Sequence, residues 1–361
     1  MKLFFDARYI RADFHDGISR YSTELANAVA EIAQVTFLIC DENQKRFLPD
    51  GADTLQIHAP TSPKEPFTAR ILNKYGPDVV FSPMQTIGSS GRRFKLILTL
   101  HDMIYYRHRT PPRHLPWPIR LGWRLYHLSY APQRAKLNGA DVVATVSETS
   151  KRDFAKAQLT KRPVVVIPNA PQKLAELLER PVRDKSSKNL VYMGSFMEYK
   201  NVETLIAGLA HLPADYTLHL LSRVSEARKA QLEALVPKGA NVVFHNGVSD
   251  VEYAELLADN AILVTGSLDE GYGLPLAEAL ALGVPAVVSE LPIFHEVAGH
   301  GALYFEAQNP REFAAAVLKV SEPGVREELV VRGKEHMAQF SWAKSAQILL
   351  ETAKKLHKTV K

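Results

Sequence analysis

The amino-acid sequence predicts an α/β protein of two doubly wound, parallel-sheet domains, and three observations carry that expectation. Short β-rich runs alternate with helix-period segments along the chain, the pattern of parallel strands joined by right-handed crossovers. The alternation pauses at a charged, weakly apolar stretch, 179–188 (ERPVRDKSSK), and then restarts. The chain has 361 residues, 46% of them hydrophobic, which is enough for two buried cores and more than one core ordinarily holds.

The first series of strands is KLFFD (2–6), VTFLIC (35–40), DVVFS (78–82), KLILTL (95–100), DVVATV (141–146) and VVVIP (164–168). After Gly17, the residues Ile18, Tyr21, Leu25, Val29 and Ile32 recur at three- and four-residue spacing. That stripe is what an amphipathic helix needs to cover one face of a sheet. The second series is NLVYM (189–193), TLHLL (217–221), NVVF (241–244), AILVT (261–265) and PAVVS (285–289). With 179–188 as the linker, the domains are 1–180 and 181–340. The remaining segment, 341–361, starts at Ser341 as an N-cap and ends basic, as a helix C-terminus prefers. No strand follows it, so it is expected to dock back on the first domain.

Composition narrows the setting. The lone cysteine, Cys40, ends an apolar run and has no partner in the chain, which suits core packing in a reducing cytoplasm. An acidic residue at Asp6 comes too early for a signal-peptide apolar region, and no window reaches the roughly 18 apolar residues of a membrane span. Membrane contact is therefore expected to be peripheral, at the inner face of the cell membrane. A net charge of +5 with a pI near 9.0 suits an anionic partner.

The chemistry concentrates in AILVTGSLDEGYGLPLAEAL (261–280), which reads as a strand, a Gly-containing loop and a helix start. Open α/β sheets bind ligands beyond the carboxyl ends of their strands. Pro275 fits a first helical turn, so the amides of Gly271, Tyr272, Gly273 and Leu274 lack intrahelical acceptors and can face a diphosphate, aided by the helix dipole. Glu270 and Glu278 flank this nest. An ionised carboxylate only accepts hydrogen bonds and pairs well with vicinal hydroxyls, so one can hold a sugar ring while the other holds a ribose diol. A capping role for Glu278 and a solvated Glu270 are the plain alternatives.

The pattern S-x-x-E-G-[FY]-G-L-P-x-x-E-A over 267–279 resembles the signature of glycosyltransferase family 4. The resemblance implies the GT-B fold, two Rossmann-like domains facing a cleft, and transfer with retention of anomeric configuration. It also implies that Glu270 binds the transferred sugar, that Glu278 binds the nucleotide ribose, and that Gly271 to Leu274 contact sugar and phosphate. Lys200, after strand NLVYM, matches a family lysine on the donor diphosphate. Many relatives add an arginine just after the glycine matching Gly194, where this chain has Ser195; Arg223 is the candidate substitute. His101, in the pair His101-Asp102 after KLILTL, matches a histidine that contacts the donor sugar, so His101 and Glu270 are the expected catalytic residues. GISRY, 17–21, is similar to the family's Gly-rich loop, with Ser19 in place of a glycine and Gly17 left to admit phosphate or acceptor. Asn169 is expected in an interdomain loop.

No D-x-D motif is present, and Asp250-Val251-Glu252 stands where carboxylates cap a helix. Neither a metal nor another cofactor is expected; the amides and Lys200 would stabilise the leaving diphosphate. A carboxylate nucleophile and front-face attack both remain open as routes to retention.

For the acceptor, the informative segment lies between Asp102 and Asp141, which contains no acidic residue. Arg107, Arg109, Arg113, Arg120, Arg124, Arg134 and Lys136 are interleaved there with Tyr105, Tyr106, Trp117, Trp123, Tyr126 and Tyr130. This composition suits a membrane interface or an anionic lipid-linked acceptor better than nucleic acid. The expected activity is transfer of a hexose, mannose or glucose, from a GDP- or UDP-linked donor to a glycan or lipid-linked acceptor in cell-envelope polysaccharide synthesis. A non-hydrolysing sugar-nucleotide epimerase and a non-catalytic sugar-nucleotide-binding subunit are the alternatives.

Overall fold

The computed structural model describes residues 1–12, 16–111, 116–178 and 188–359. The chain divides into two compact units, Met1–Asn169 with Phe340–Lys361, and Ala170–Gln339. The expected linker at 179–188 lies, apart from Lys188, outside the described residues. The division falls at Asn169/Ala170 rather than at 180/181, and a packing contact explains the difference. Residues Leu174–Leu177 form a 3-10 turn against helices Asp250–Ala258 and Leu274–Leu282, with Leu174 buried, so this stretch belongs to the second unit.

The first unit carries seven parallel strands: β1 Leu3–Asp6, β2 Val35–Ile39, β3 Asp53–Gln56, β4 Val79–Ser82, β5 Lys95–Thr99, β6 Val142–Thr145 and β7 Val164–Val166. Their order is β3-β2-β1-β4-β5-β6-β7, and Leu3 pairs with Val35 on one side and Val79 on the other. The strand order therefore reverses between β1 and β4. All residues of β1, β4 and β6 are buried, as strands covered on both faces must be. In the first helix, Gly17–Ile32, Tyr21, Leu25 and Val29 are buried as expected, but Ile32, its last residue, is 47% exposed.

At the carboxyl end of β1, Arg8 lies buried between two carboxylates. Its guanidinium donates to Asp6 Oδ1 and Oδ2 at 2.7 and 3.0 Å and to Glu65 Oε2 and Oε1 at 2.8 and 3.0 Å. Ser82 Oγ, at the end of β4, donates to Asp6 Oδ2 at 3.0 Å. The reversal point of this sheet is thus closed by a paired ionic cluster.

The last helix, Trp342–Lys358, packs on helix Gly17–Ile32, so the first unit contains both ends of the described chain. Ser341 caps it by accepting from the Lys344 amide, and Ser345 Oγ donates to the Pro168 carbonyl at 2.7 Å. Ala346, Leu349 and Ala353 form its buried stripe.

The second unit has six parallel strands: β8 Lys188–Tyr192, β9 Tyr216–Leu220, β10 Asn241–Phe244, β11 Ile262–Thr265, β12 Ala286–Ser289 and β13 Ala302–Phe305. The order is β10-β9-β8-β11-β12-β13. It reverses between β8 and β11, where a crevice is expected beyond the strand ends. Leu190, Leu218, Ile262 and Val287 on one face pack with Val202, Leu205 and Phe313 of the covering helices.

Candidate functional site

The loops leaving β8 and β11 are joined at this reversal point. Asn201 sits in the left-handed region at φ 50°, ψ 43° and ends a 3-10 turn, Glu198–Lys200. An asparagine tolerates this backbone better than most side-chain-bearing residues. Its amide donates to the Gly266 carbonyl at 2.9 Å and to the Ala307 carbonyl at 2.5 Å, linking the loops after β8, β11 and β13. The Leu268 amide adds a bond to the Tyr199 carbonyl at 2.7 Å.

These clips bring Lys200 and Glu270 together. Lys200 Nζ lies 2.5 Å from Glu270 Oε1, with side-chain exposures of 16% and 13%. Ser267 Oγ donates to the same oxygen at 2.9 Å and is 3.2 Å from Thr265 Oγ1, which can donate to it in turn. Two donors therefore hold Oε1, which leaves Oε2 as the carboxylate oxygen available to a ligand. Neither Ser267 nor Asn201 was singled out from sequence as a positioning residue. The signal for Asn201 was its place directly after Lys200 and before a helical run, where a left-handed residue ends a turn.

The expected phosphate nest folds as a loop leading into a helix start. Helix Leu274–Leu282 begins with Pro275 in its first turn, and its N-cap, Gly273, supplies no side chain. The Leu276 and Ala277 amides are engaged by the Gly273 carbonyl at 3.0 and 3.2 Å. Among the described residues the Gly273 and Leu274 amides have no acceptor, and they stand at the positive end of the helix dipole. Gly271 and Tyr272 complete the loop; Tyr272 is buried, which pushes its phenol well up. Glu278 lies one turn inside the helix and is 2% exposed.

Gly273 is required for this shape. Its φ is +94°, and a Cβ there would stand 2.9 Å from Phe294 Cε1. Gly273→Ala is expected to cost about 1–3 kcal/mol and to lower nucleotide affinity, which urea unfolding and calorimetry on the same variant would measure.

The other expected residues are placed less uniformly. Ser195 presents its carbonyl to the Tyr192 hydroxyl at 2.7 Å and brings no charge. Arg223 follows β9, is exposed, and lies along Gly247, with no ion pair among the described residues. In the first unit, Gly17 opens its helix, but Asp16 supplies the cap: its carboxylate accepts from the Ser19 amide at 2.8 Å and pairs with Arg11 Nε at 3.1 Å. The protein's own carboxylate thus holds a position in which Gly17 was expected to admit an anion. Asn169 is buried at the end of the first unit.

His101 follows β5 and points its Nε2 at the Pro83 carbonyl, 2.9 Å away. A carbonyl only accepts, so Nε2 carries the proton and the neutral ring keeps Nδ1 as an acceptor. Burial holds the imidazole below the usual histidine range. The ring's one N–H is therefore already used on the backbone, so a contact from His101 to a sugar would be made at Nδ1, as an acceptor. Asp102 turns its carboxylate to the Ile104 amide at 2.9 Å.

Of the basic residues in 103–140, Arg107 pairs with Asp153 at 2.9 Å and Arg109 Nε donates to the Tyr106 carbonyl at 3.1 Å. Arg113 lies outside the described residues. Arg120 and Arg124 lie on helix Trp117–Tyr126, in which no residue is buried. Trp117 is 74% exposed, and Ile119, Leu121, Leu125 and Leu128 are exposed with it. Trp117, Leu121 and Leu125, four residues apart, share one face of this helix, whereas Ile119 lies on another; the aliphatic residues are not part of the basic and aromatic pattern read from the sequence.

Glu252 caps its helix, and Asp250, in the same first turn, accepts from Gln172 Nε2 at 3.2 Å. Ser249 and Glu252 form a capping box, with Glu252 accepting from the Ser249 amide at 2.7 Å. Among the described residues no group of three or more His, Cys, Asp or Glu side chains is arranged to hold a metal ion. Likewise, no helix among them is long and apolar enough to cross a membrane.

Comparisons with known proteins agree with this geometry. The family description "Glycosyltransferase Family 4" matches residues 15–170, and "Glycosyl transferases group 1" matches residues 174–340. The chain is 26% identical over 322 residues to the O-antigen chain mannosyltransferase RfbU of Salmonella typhimurium, covering 85% of this chain and 87% of that protein. Among solved structures it is similar to sucrose-phosphate synthase from Thermosynechococcus elongatus, with a TM-score of 0.73, 19% identity and 99% of each chain covered. It is also similar to Anabaena HepE in complex with UDP-glucose, with a TM-score of 0.68, 16% identity, and 98% and 100% of the two chains covered. With the signature 267–279 folded as an uncapped helix start beside a paired Lys200 and Glu270, the chain belongs to glycosyltransferase family 4 and has its GT-B fold.

Proposed function

We propose that this protein transfers a hexose from a nucleoside-diphosphate donor to a glycan or lipid-linked acceptor in cell-envelope polysaccharide synthesis, with retention of configuration and without a metal ion. The observation that carries the reading is the Lys200–Glu270 pair beside the Gly273 and Leu274 amides. In the structure the Lys200 ammonium neutralises the Glu270 carboxylate. A donor replaces that single contact by two: its diphosphate takes Lys200 and the amides, and a hydroxyl of its sugar donates to Glu270. As the glycosidic bond breaks, charge grows on the leaving phosphate, where these fixed donors stabilise it. Arg223 is a second cation at the same strand ends, standing in for the charge that Ser195 lacks. Glu278 takes the ribose diol, and His101 accepts a sugar hydroxyl at Nδ1.

Mannose and glucose are the favoured sugars. RfbU is named a mannosyltransferase, and the HepE complex holds UDP-glucose. Calorimetry with GDP-mannose, UDP-glucose and ADP-glucose in the presence of EDTA is expected to show one tight donor. That donor, radiolabelled and incubated with membrane extract, should place label in glycan. Isomerised donor would identify an epimerase, and tight binding without any transfer would identify a binding subunit.

The acceptor side is assigned to helix Trp117–Tyr126, lying in the plane of the inner face of the cell membrane. Its exposed apolar residues enter the interface while Arg120 and Arg124 meet anionic headgroups. Each basic residue near an anionic surface is worth about 1 kcal/mol, so the double variant Arg120→Gln/Arg124→Gln should partition about 30-fold less onto phosphatidylglycerol vesicles. Unchanged sedimentation with the vesicles would remove this helix from the membrane.

A further inference from the structure

The ring of His101 belongs to an aromatic stack that reaches the last helix. Tyr21, fully buried in helix Gly17–Ile32, meets the His101 ring edge-on, with centroids 5.1 Å apart and planes at 81°. The same Tyr21 ring meets Trp342 at 5.8 Å and 65°. Trp342 is the first residue of helix Trp342–Lys358 and is fixed there by the Ser341 cap and by the Ser345 bond to the Pro168 carbonyl. Its indole Nε1 is buried without an acceptor among the described residues. A buried donor left unpaired is costly, so the indole is held for the shape of its ring rather than for a hydrogen bond. Among the described residues the Tyr21 hydroxyl makes one long contact, 3.4 Å, to the Ile167 carbonyl, so ring packing dominates at this residue too.

We infer that Tyr21 and Trp342 are positioning residues for His101: the stack fixes the imidazole plane so that Nε2 stays on the Pro83 carbonyl and Nδ1 stays turned away from it. Helix Trp342–Lys358 thereby takes part in holding His101 within the first unit. Catalytic significance rests on the role given to His101 above, whereas the geometric claim does not. Among the described residues the imidazole meets the Pro83 carbonyl after β4 and the Tyr21 ring, and feels the charge of Asp16 ahead of the first helix; Thr145 of β6 holds the His101 backbone carbonyl at 3.3 Å. Burial lowers the ring's affinity for a proton and Tyr21 is part of what covers it, so loosening the stack should raise its titration midpoint.

The test is nitrogen-resolved NMR of the His101 ring in the full-length protein and in Trp342→Leu. The parent should show one tautomer, protonated at Nε2. Trp342→Leu should show mixed tautomers and a midpoint moved upward, and Trp342→Phe, which restores a ring, should return most of the parent behaviour. In the transfer assay Trp342→Leu should lower kcat about 10- to 100-fold, as small misplacements of reacting groups do, with donor KM within about 2-fold. His101 resonances unchanged in Trp342→Leu would overturn the inference. If Trp342→Leu does not fold, Trp342→Met decides, because this flexible apolar side chain fills the space without supplying a ring, and His101 resonances unchanged there would overturn the inference as well. Absence of transfer by the parent protein counts against the proposed activity only, since the NMR readout is independent of turnover.

Discussion

Glu270→Gln is expected to lower kcat/KM for transfer by about 100-fold while leaving nucleoside-diphosphate affinity unchanged or a few-fold tighter. The first effect follows from the loss of a charged acceptor for a sugar hydroxyl, worth about 1.5–3 kcal/mol. The second follows from the 2.5 Å contact between Lys200 and Glu270 Oε1. A nucleoside diphosphate without its sugar has to draw Lys200 away from the carboxylate and offers Glu270 nothing in return. Removing the negative charge frees the ammonium for phosphate. Glu278→Gln should show the reverse pattern, with weaker nucleotide binding and a smaller change in kcat, because Glu278 lies beyond the nest, inside helix Leu274–Leu282. Calorimetry with the diphosphate and steady-state kinetics with the full donor separate the two. A Glu270→Gln variant that loses nucleotide affinity in step with activity would refute the division of labour.

The residues that matter here were legible in sequence to different depths, for physical reasons. Strands such as β1, β4 and β6 are buried throughout and mostly apolar, as strands of a parallel sheet covered on both faces are, and they are legible directly. β3, DTLQ, is a partly exposed edge strand with a polar composition, and β13, ALYF, is four residues long; neither announces itself by pattern. The loop 267–278 was legible because a phosphate nest needs glycine, proline and carboxylates at fixed spacing. The bond from Asn201 to Ala307 was not, since no local pattern in the chain records a contact across 106 residues. His101 shows the opposite case: its position after a strand was readable, but the acceptor that its ring nitrogen uses is set by Pro83 from another strand end.

Arg8→Leu is expected to destabilise the first unit by roughly 3–5 kcal/mol, the largest stability effect foreseen for any single substitution considered, and Arg8→Lys to recover only part of it. Arg8 was not legible as structural from sequence, where an arginine two residues after a strand reads as a loop charge. In the fold it makes bidentate bonds to Asp6, which is fully buried, and to Glu65, which is nearly so. Burial by itself would pull the guanidinium's affinity for its proton down, but the two carboxylates outweigh it and hold the pKa above the ordinary arginine value. The charge is therefore permanent and permanently needed. Leucine would fill much of the volume and leave two buried carboxylates facing each other with no cation, the arrangement in which breaking a buried pair costs most. Lysine restores a charge but presents a point donor where the site has four parallel acceptor contacts, which only a planar fork can meet. Denaturant unfolding of the three proteins, followed by the first unit's Trp117, Trp123 and Trp342, measures the order directly. If Arg8→Leu unfolds within about 1 kcal/mol of the parent, the cluster at the β1/β4 reversal point is not what holds those strand ends together, and their alignment rests on the apolar packing of Phe5 with Phe37 and Phe81 instead.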